Sequence, residues 1–219
     1  MSDDAGDPHK AFWLSRTAVA GPRAARFHGD HDAYDLAAIA AVGGEGSDVC
    51  LLDLGCGTCV IPNLVVDRLG WTVHAVDYVP EFLTHAIDDP RLTTEAGDLR
   101  SYRGAEGAYD LVTLLGVITY IEPDDERADL YARCAAMVAP GGALLVKAQL
   151  GVHETVVVDT YSEQLGSSYR AIYPHLGSEV ALLRAAFGDG AVTVEDPYPA
   201  AFSRYDNTHF HHLIARRAA

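Results

Sequence analysis

Val49–Cys59 reads VCLLDLGCGTC, an apolar run of strand length that ends in an acid, Asp53, and opens onto a glycine-rich turn. A helix-like segment, Val60–Leu69, follows and is stopped by Gly70. A strand that passes through a glycine turn into a helix sets bare backbone N–H groups and the positive end of a helix beside a ligand. That arrangement predicts a nucleotide-type site. Asp53 narrows the ligand, because an acid at this strand end holds a cation or a hydroxyl and repels a pyrophosphate brought equally close. A ribose and a positive group are expected in preference to a chain of phosphates.

Outward from this stretch the pattern alternates strand and helix, the signature of an open, mostly parallel sheet. Strands are expected at Val49–Leu54, Thr72–Asp77, Leu92–Glu95, Tyr109–Leu115 and Gly142–Ala148, and helices at Val60–Leu69, Pro80–Ile87 and Glu126–Met137. Pro123 precedes the last of these helices, and Pro140-Gly141-Gly142 predicts a turn into the fifth strand. Ahead of the core, residues 1–45 carry Phe12, Trp13, Phe27 and Tyr34 and end in an alanine-rich helical stretch, Tyr34–Val42, with a hinge at 43–47. Residues 151–177 break the rhythm. They predict a long loop with an extra strand at Val156–Val158, and they carry His153, Tyr161, Tyr169, Tyr173 and His175. A helix at Glu179–Phe187, capped by Ser178, and an antiparallel edge pair, Val192–Asp196 with Thr208–Arg216, close the chain.

The 219 residues suffice for one domain with a full core. We divide it into N-terminal lid helices (1–45), a ligand-binding core (46–150), a substrate-side insertion (151–177) and a closing helix and strand pair (178–219). Sixteen basic residues face 31 acidic ones, a net charge of −15, and the arginines are scattered. Such a field repels nucleic acid. No run approaches the ~18 apolar residues of a membrane helix. The acidic start MSDDAGDPHK has no secretion signal, so a cytoplasmic protein with reduced cysteines is expected. A homodimer is an allowed assembly that the sequence leaves open.

In an open parallel sheet, ligands sit at the carboxyl ends of the strands. Asp53 and Asp77 close the first two strands, and Asp98 follows the third within Ala96-Gly97-Asp98-Leu99. Taken together, DLGCGT, the acid of AVDYV, the GDL step, the strand YDLVTLLG and the turn APGG resemble the class I S-adenosylmethionine-dependent methyltransferases. The resemblance is close over residues 46–150 and looser over the closing strands. It implies a Rossmann-like, doubly wound α/β fold with seven strands, mostly parallel, and an antiparallel C-terminal edge pair. It also implies S-adenosylmethionine as cofactor and S-adenosylhomocysteine as product. In that reading Asp53, Gly55, Cys56 and Gly57 form the cofactor loop. Asp77 and Tyr78 hold the ribose side, Asp98 and Leu99 the adenine, and Leu115 and Gly116 the methionine end. One position departs from the family pattern: Cys59 stands where a third glycine is common, which is tolerable if its side chain points to the helix side.

The enzyme expected is a methyltransferase acting on an O or N atom of a small-molecule metabolite, as in natural-product tailoring. His153, His175, Tyr120 and Glu122 are the candidate proton-accepting or positioning residues, His153 foremost because it follows the fifth strand. Two other readings stay open, a non-catalytic cofactor-binding regulatory subunit and an NAD-dependent oxidoreductase. The dinucleotide fingerprint wants glycine where Val60 stands. The Cys56-Gly57-Thr58-Cys59 pair reads as incidental to the loop, although its oxidation would distort that loop. His209, His211 and His212 read as strand histidines, and the stretch KAQLG lacks the Asp-Asn pair of the family's magnesium-dependent branch, so no metal is expected.

Overall fold

The structure, a computed structural model, describes residues 8–18, 21–25, 31–44, 46, 48–162, 167–195, 197–199, 202 and 205–219. The acidic start, Phe27, part of the 43–47 hinge, Asp196 and the middle of the 151–177 insertion lie outside the described residues. The strands run β1 (Cys50–Leu54), β2 (Thr72–Asp77), β3 (Leu92–Ala96), β4 (Tyr109–Leu115), β5 (Val138–Gly151), β6 (Val156–Ser162), β7 (Ser167–Tyr173), β8 (Val192–Val194) and β9 (Thr208–Arg216). The helices are α1 (Pro8–Ser15), α2 (Asp32–Gly43), α3 (Val60–Leu69), α4 (Pro80–Leu83), α5 (Asp124–Met137) and α6 (Leu176–Phe187).

Seven strands form one sheet in the order β3-β2-β1-β4-β5-β9-β8. The first five are parallel, and β9 inserts antiparallel between β5 and β8. The order reverses between β1 and β4, which opens a crevice at their carboxyl ends. Alternation along the strands then divides the core. Leu52, Leu54, Val112, Leu114, Leu144, Val146 and Leu213 pack with Leu130, Tyr131, Cys134, Met137 and Leu183 from α5 and α6. Leu51, Val73, Leu111, Leu145 and Ile214 pack on the other face with Ile39 of α2, Val65 and Val66 of α3, and Trp71. The fold class, the seven strands and the antiparallel edge pair are as expected from the sequence.

Several boundaries differ, each for a physical reason. Pro140-Gly141-Gly142 is not a turn into the fifth strand. Val138 already pairs with Tyr109, and the register then shifts before Leu111 pairs with Ala143, so the triplet is a bulge inside a 14-residue strand. The helix expected to reach Ile87 ends at Leu83. The turn beyond it is held by Asn63, whose side chain donates to the His85 carbonyl (3.0 Å) and accepts from the Ile87 N–H (3.0 Å). Helix α6 starts at Leu176, so Ser178 lies within it and is not the cap. Residues 151–177 are no open loop: β6 and β7 pair antiparallel as a separate two-stranded sheet.

Candidate functional site

The residues at the carboxyl end of β1 fold as the sequence anticipates. Gly55 and Cys56 donate to the Val76 carbonyl, at 2.8 and 3.1 Å, which ties the glycine turn to β2. Gly55 has φ +76°, and a Cβ there would lie 2.4 Å from Val117. Gly57, at φ +54°, would press a Cβ to 3.0 Å from Ala25. No side chain fits at either point without displacing a neighbour. Cys59 has φ +56°, the left-handed conformation glycine would take, and its side chain is buried.

Asp77 organises the turn. Its carboxylate accepts from the Gly57 N–H at 2.8 Å and from the Val79 N–H at 2.9 Å. Burial raises its pKa, and the backbone N–H groups of Val79, Gly57 and Tyr78 work against that rise. Asp53 lies on the same strand face as Leu51, towards α2, and accepts from the Thr113 hydroxyl at 2.7 Å. Burial pushes its pKa up to about 7; Thr113 opposes the shift, and the Asp77 and Asp35 charges add to it.

These groups open onto a solvent-open cleft with a cavity volume of about 190 Å³. Asp53, Gly55, Cys56, Gly57, Leu115 and Gly116 line it together. Tyr78, Asp98 and Leu99 line a smaller recess with His9 and Lys10 of α1. Asp77 lies behind both, turned into the loop it holds.

The candidate proton acceptors separate. Tyr120 lines the cleft with Tyr169 and Tyr173, and its ring meets that of Tyr169 edge-on. Burial pushes the Tyr120 pKa up to about 12, so its hydroxyl stays protonated at neutral pH. Glu122 is near but committed. Arg170 of β7 grips its carboxylate, with Nη2 at 2.7 Å, and His9 of α1 approaches at 3.0 Å. The Arg170 hydrogen bond, with help from His9, outweighs the opposing effect of burial and lowers its pKa to about 2, which makes it a clasp between elements and a poor base. His153 is exposed on the bend after β5, which runs on to Gly151 and carries the chain past the cleft. His175 immediately precedes α6, its ring against Gly177. Neither histidine is among the described residues that line the cleft.

The sequence reading missed a buried polar cluster on the cleft wall. Strand alternation brings Lys147 of β5 and His212 of β9 to the α2 face, where the two pair in register. Lys147 Nζ lies 2.7 Å from Asp35 Oδ2, and His212 Nε2 lies 3.1 Å from Asp35 Oδ1. The Tyr198 hydroxyl donates to the same carboxylate and lies 2.7 Å from His212. Burial works against the Asp35 charge, but His212, Lys147 and Tyr198 outweigh it and hold the carboxyl below its ordinary range. A lysine inside the apolar run LLVKAQL was the available signal, since a buried charge needs a partner. Asp32, Thr119, Gln149 and Phe210 also line the cleft. The Cys56 and Cys59 sulfurs lie 3.9 Å apart as free thiols. Cys59 beside it, burial and the Asp53 charge keep the Cys56 pKa well above its ordinary value.

Residues 51–142 match the family described as a methyltransferase domain. No curated protein matches the chain in sequence. Among solved structures of similar fold is phosphoethanolamine N-methyltransferase 2 of Haemonchus contortus, in complex with phosphomonomethylethanolamine and S-adenosylhomocysteine. It aligns with a TM-score of 0.68 at 18% identity, over 99% of this chain and 59% of that one. The 1,6-didemethyltoxoflavin-N1-methyltransferase of Burkholderia thailandensis, with its substrate and S-adenosylhomocysteine, aligns with 0.61 at 22% identity, over 97% and 91%. An S-adenosylmethionine-dependent methyltransferase of Mesorhizobium loti aligns with 0.64 at 17%, over 86% and 99%. The chain thus spans about three fifths of the first of these and nearly all of the other two. At these identities the likeness is one of fold.

Proposed function

We propose that this chain, which carries a methyltransferase domain on the class I S-adenosylmethionine-dependent fold, transfers a methyl group from S-adenosylmethionine to an O or N atom of a small metabolite, as in natural-product tailoring. The observation that carries the reading is the glycine turn tied by Asp77, with Asp53 and Asp98 at the neighbouring strand ends. These residues fit the cofactor: the Gly55 and Gly57 backbone can approach it where a Cβ would not fit. Asp77 would hold the ribose, Asp98 and Leu99 the adenine, and Asp53 with Leu115 and Gly116 the cationic amino acid end. The bound cofactor supplies a methyl group activated by a sulfonium leaving group. The protein's task is then alignment and exclusion of water, worth about 7–11 kcal/mol at best.

Helix α1 serves in this reading as a lid. Lys10 lies over the Tyr78 ring, and Trp13 packs edge-on against Tyr120 and Phe82. The β6–β7 hairpin supplies the adjoining wall of the acceptor site through Tyr169 and Tyr173, Tyr169 meeting Phe12 of α1. No helix among the described residues is long and apolar enough to cross a membrane, and we take the enzyme to act in the cytoplasm.

Calorimetry with S-adenosylmethionine and S-adenosylhomocysteine, followed by a screen of small phenols, amines and acids for methyl acceptance, tests the proposal. Micromolar binding with turnover is expected. Binding to neither ligand by the folded protein would overturn it, and binding without turnover would favour the regulatory-subunit reading.

Asp53 gives the binding a pH dependence. A cationic amino group beside it favours the ionised carboxylate, so the complex carries fewer protons than the free protein below pH 7. Affinity for S-adenosylhomocysteine should therefore rise as pH increases towards 7 and level off above it. Calorimetry at pH 6 in two buffers of different ionisation enthalpy should show proton release. Asp53→Asn should abolish both the release and the pH dependence; a wild-type profile flat across this range would remove Asp53 from the cofactor's charged end.

A further inference from the structure

The aromatic groups of the cleft form a feature that the cofactor reading does not use. Trp13 and Tyr120 meet at 89° with ring centroids 5.3 Å apart, and Tyr120 and Tyr169 meet at 86° and 6.5 Å. With Tyr173 they line the cleft together with Leu115 and Gly116. Three elements build this corner: α1, the segment after β4, and β7. The charges around it are mostly negative. Asp32, Asp35 and Asp53 line the same cleft, and Lys147 is the one basic residue among the described lining residues. Its ammonium is paired with Asp35. Anionic acceptors therefore find no uncommitted positive partner there, whereas the face of an aromatic ring attracts a cation.

The tyrosines cannot serve as anionic partners. Burial raises the pKa of Tyr120, Tyr169 and Tyr173, so all three remain neutral. What they present is ring surface and hydroxyl oxygen.

Resting on the methyltransferase reading above, we propose that Trp13, Tyr120, Tyr169 and Tyr173 form an ammonium-binding corner and that the methyl acceptor is an amine. The bound ammonium first gives one proton to solvent; the lone pair of the resulting neutral amine nitrogen then forms the new N–C bond while the C–S bond breaks and its electron pair stays on sulfur. The positive charge passes from sulfur to nitrogen, and solvent takes the proton that the product ammonium later releases. The corner favours this step because the charge arrives where the rings are. It also selects between acceptors: an amine is held both before and after methylation, and a phenolate or carboxylate is disfavoured by the acids.

The test uses the full chain saturated with S-adenosylhomocysteine, with choline as a probe cation and 3,3-dimethylbutan-1-ol, its neutral carbon isostere, as control. Choline should bind saturably, and the isostere about tenfold more weakly or not at all. Tyr169→Phe, which keeps the ring, should retain choline binding, and Tyr169→Leu should lose about tenfold in affinity. Circular dichroism and S-adenosylhomocysteine affinity check that each variant is folded. Equal binding of choline and the isostere, or no binding of either by protein that holds S-adenosylhomocysteine, overturns the amine assignment and leaves the methyltransferase reading standing. Failure to bind S-adenosylhomocysteine overturns both.

Discussion

Glu179→Ala should destabilise the fold by about 3 kcal/mol, because it strips the buried Arg127 of its one fully buried carboxylate partner and leaves it only the exposed Asp124. Glu179 and Arg127 are both almost wholly shielded from water, with Nε to Oε2 at 3.1 Å. Tyr131 donates to the other carboxylate oxygen. Burial raises the Glu179 pKa, with Arg127 and Tyr131 offsetting part of that rise. The guanidinium does more than bridge α5 and α6. Its Nη1 donates to the carbonyls of Ile121 and Glu122, both at 2.8 Å, and so fixes the segment that carries Tyr120 into the cleft. Urea denaturation should show a lower midpoint at unchanged slope. A typical domain holds about 5–15 kcal/mol in all, so the variant should sit close to unfolding. Arg127→Met combined with Glu179→Leu should recover much of the loss, because a well-packed apolar pair avoids the desolvation penalty. A midpoint shift within error for Glu179→Ala would show that the pair carries no net stability.

Asp77→Ala should weaken S-adenosylhomocysteine binding about 100-fold, near 2.7 kcal/mol. Two effects add. The substitution removes an acid assigned to the ribose hydroxyls, and it orphans the Gly57 and Val79 N–H groups that shape the turn. Asp77→Asn separates them. Its amide oxygen can still accept one of these N–H groups, but the charge that strengthens a ribose hydrogen bond is gone. An intermediate loss for Asn and a large one for Ala is the expected series by calorimetry. Unchanged affinity in both variants would remove Asp77 from the cofactor site.

Local chemistry was legible in the sequence and distant pairing was not. The β1 turn could be read because its determinants, an acid, two glycines and a following helix, lie within a dozen residues. Asp35 and Lys147 are separated by 112 positions, and Asp35 and His212 by 177. No local pattern encodes such a meeting; only the unexplained lysine within a strand hinted at it. Of the β6–β7 hairpin only the strand start at Val156–Val158 was legible, for a different reason. It forms a sheet of its own, and Val157 and Tyr161 are exposed, so its apolar positions do not follow a buried face. His153 stands off the cleft because β5 begins earlier and ends later than the apolar run suggests. The arginine that commits Glu122 comes from β7, 48 residues away, beyond the reach of any local pattern.

The antiparallel insertion of β9 between β5 and β8 bears on how the molecule is made. Of the seven sheet strands, β9 leaves the ribosome last, yet it fills an interior position. Until it arrives, β5 offers a long unpaired edge and Lys147 lacks the His212 row beside it. Contacts of such sequence separation form late and slowly, and an open apolar edge invites association with other nascent chains in the meantime. The cleft wall is thus completed only when β9 docks and brings Phe210 to it.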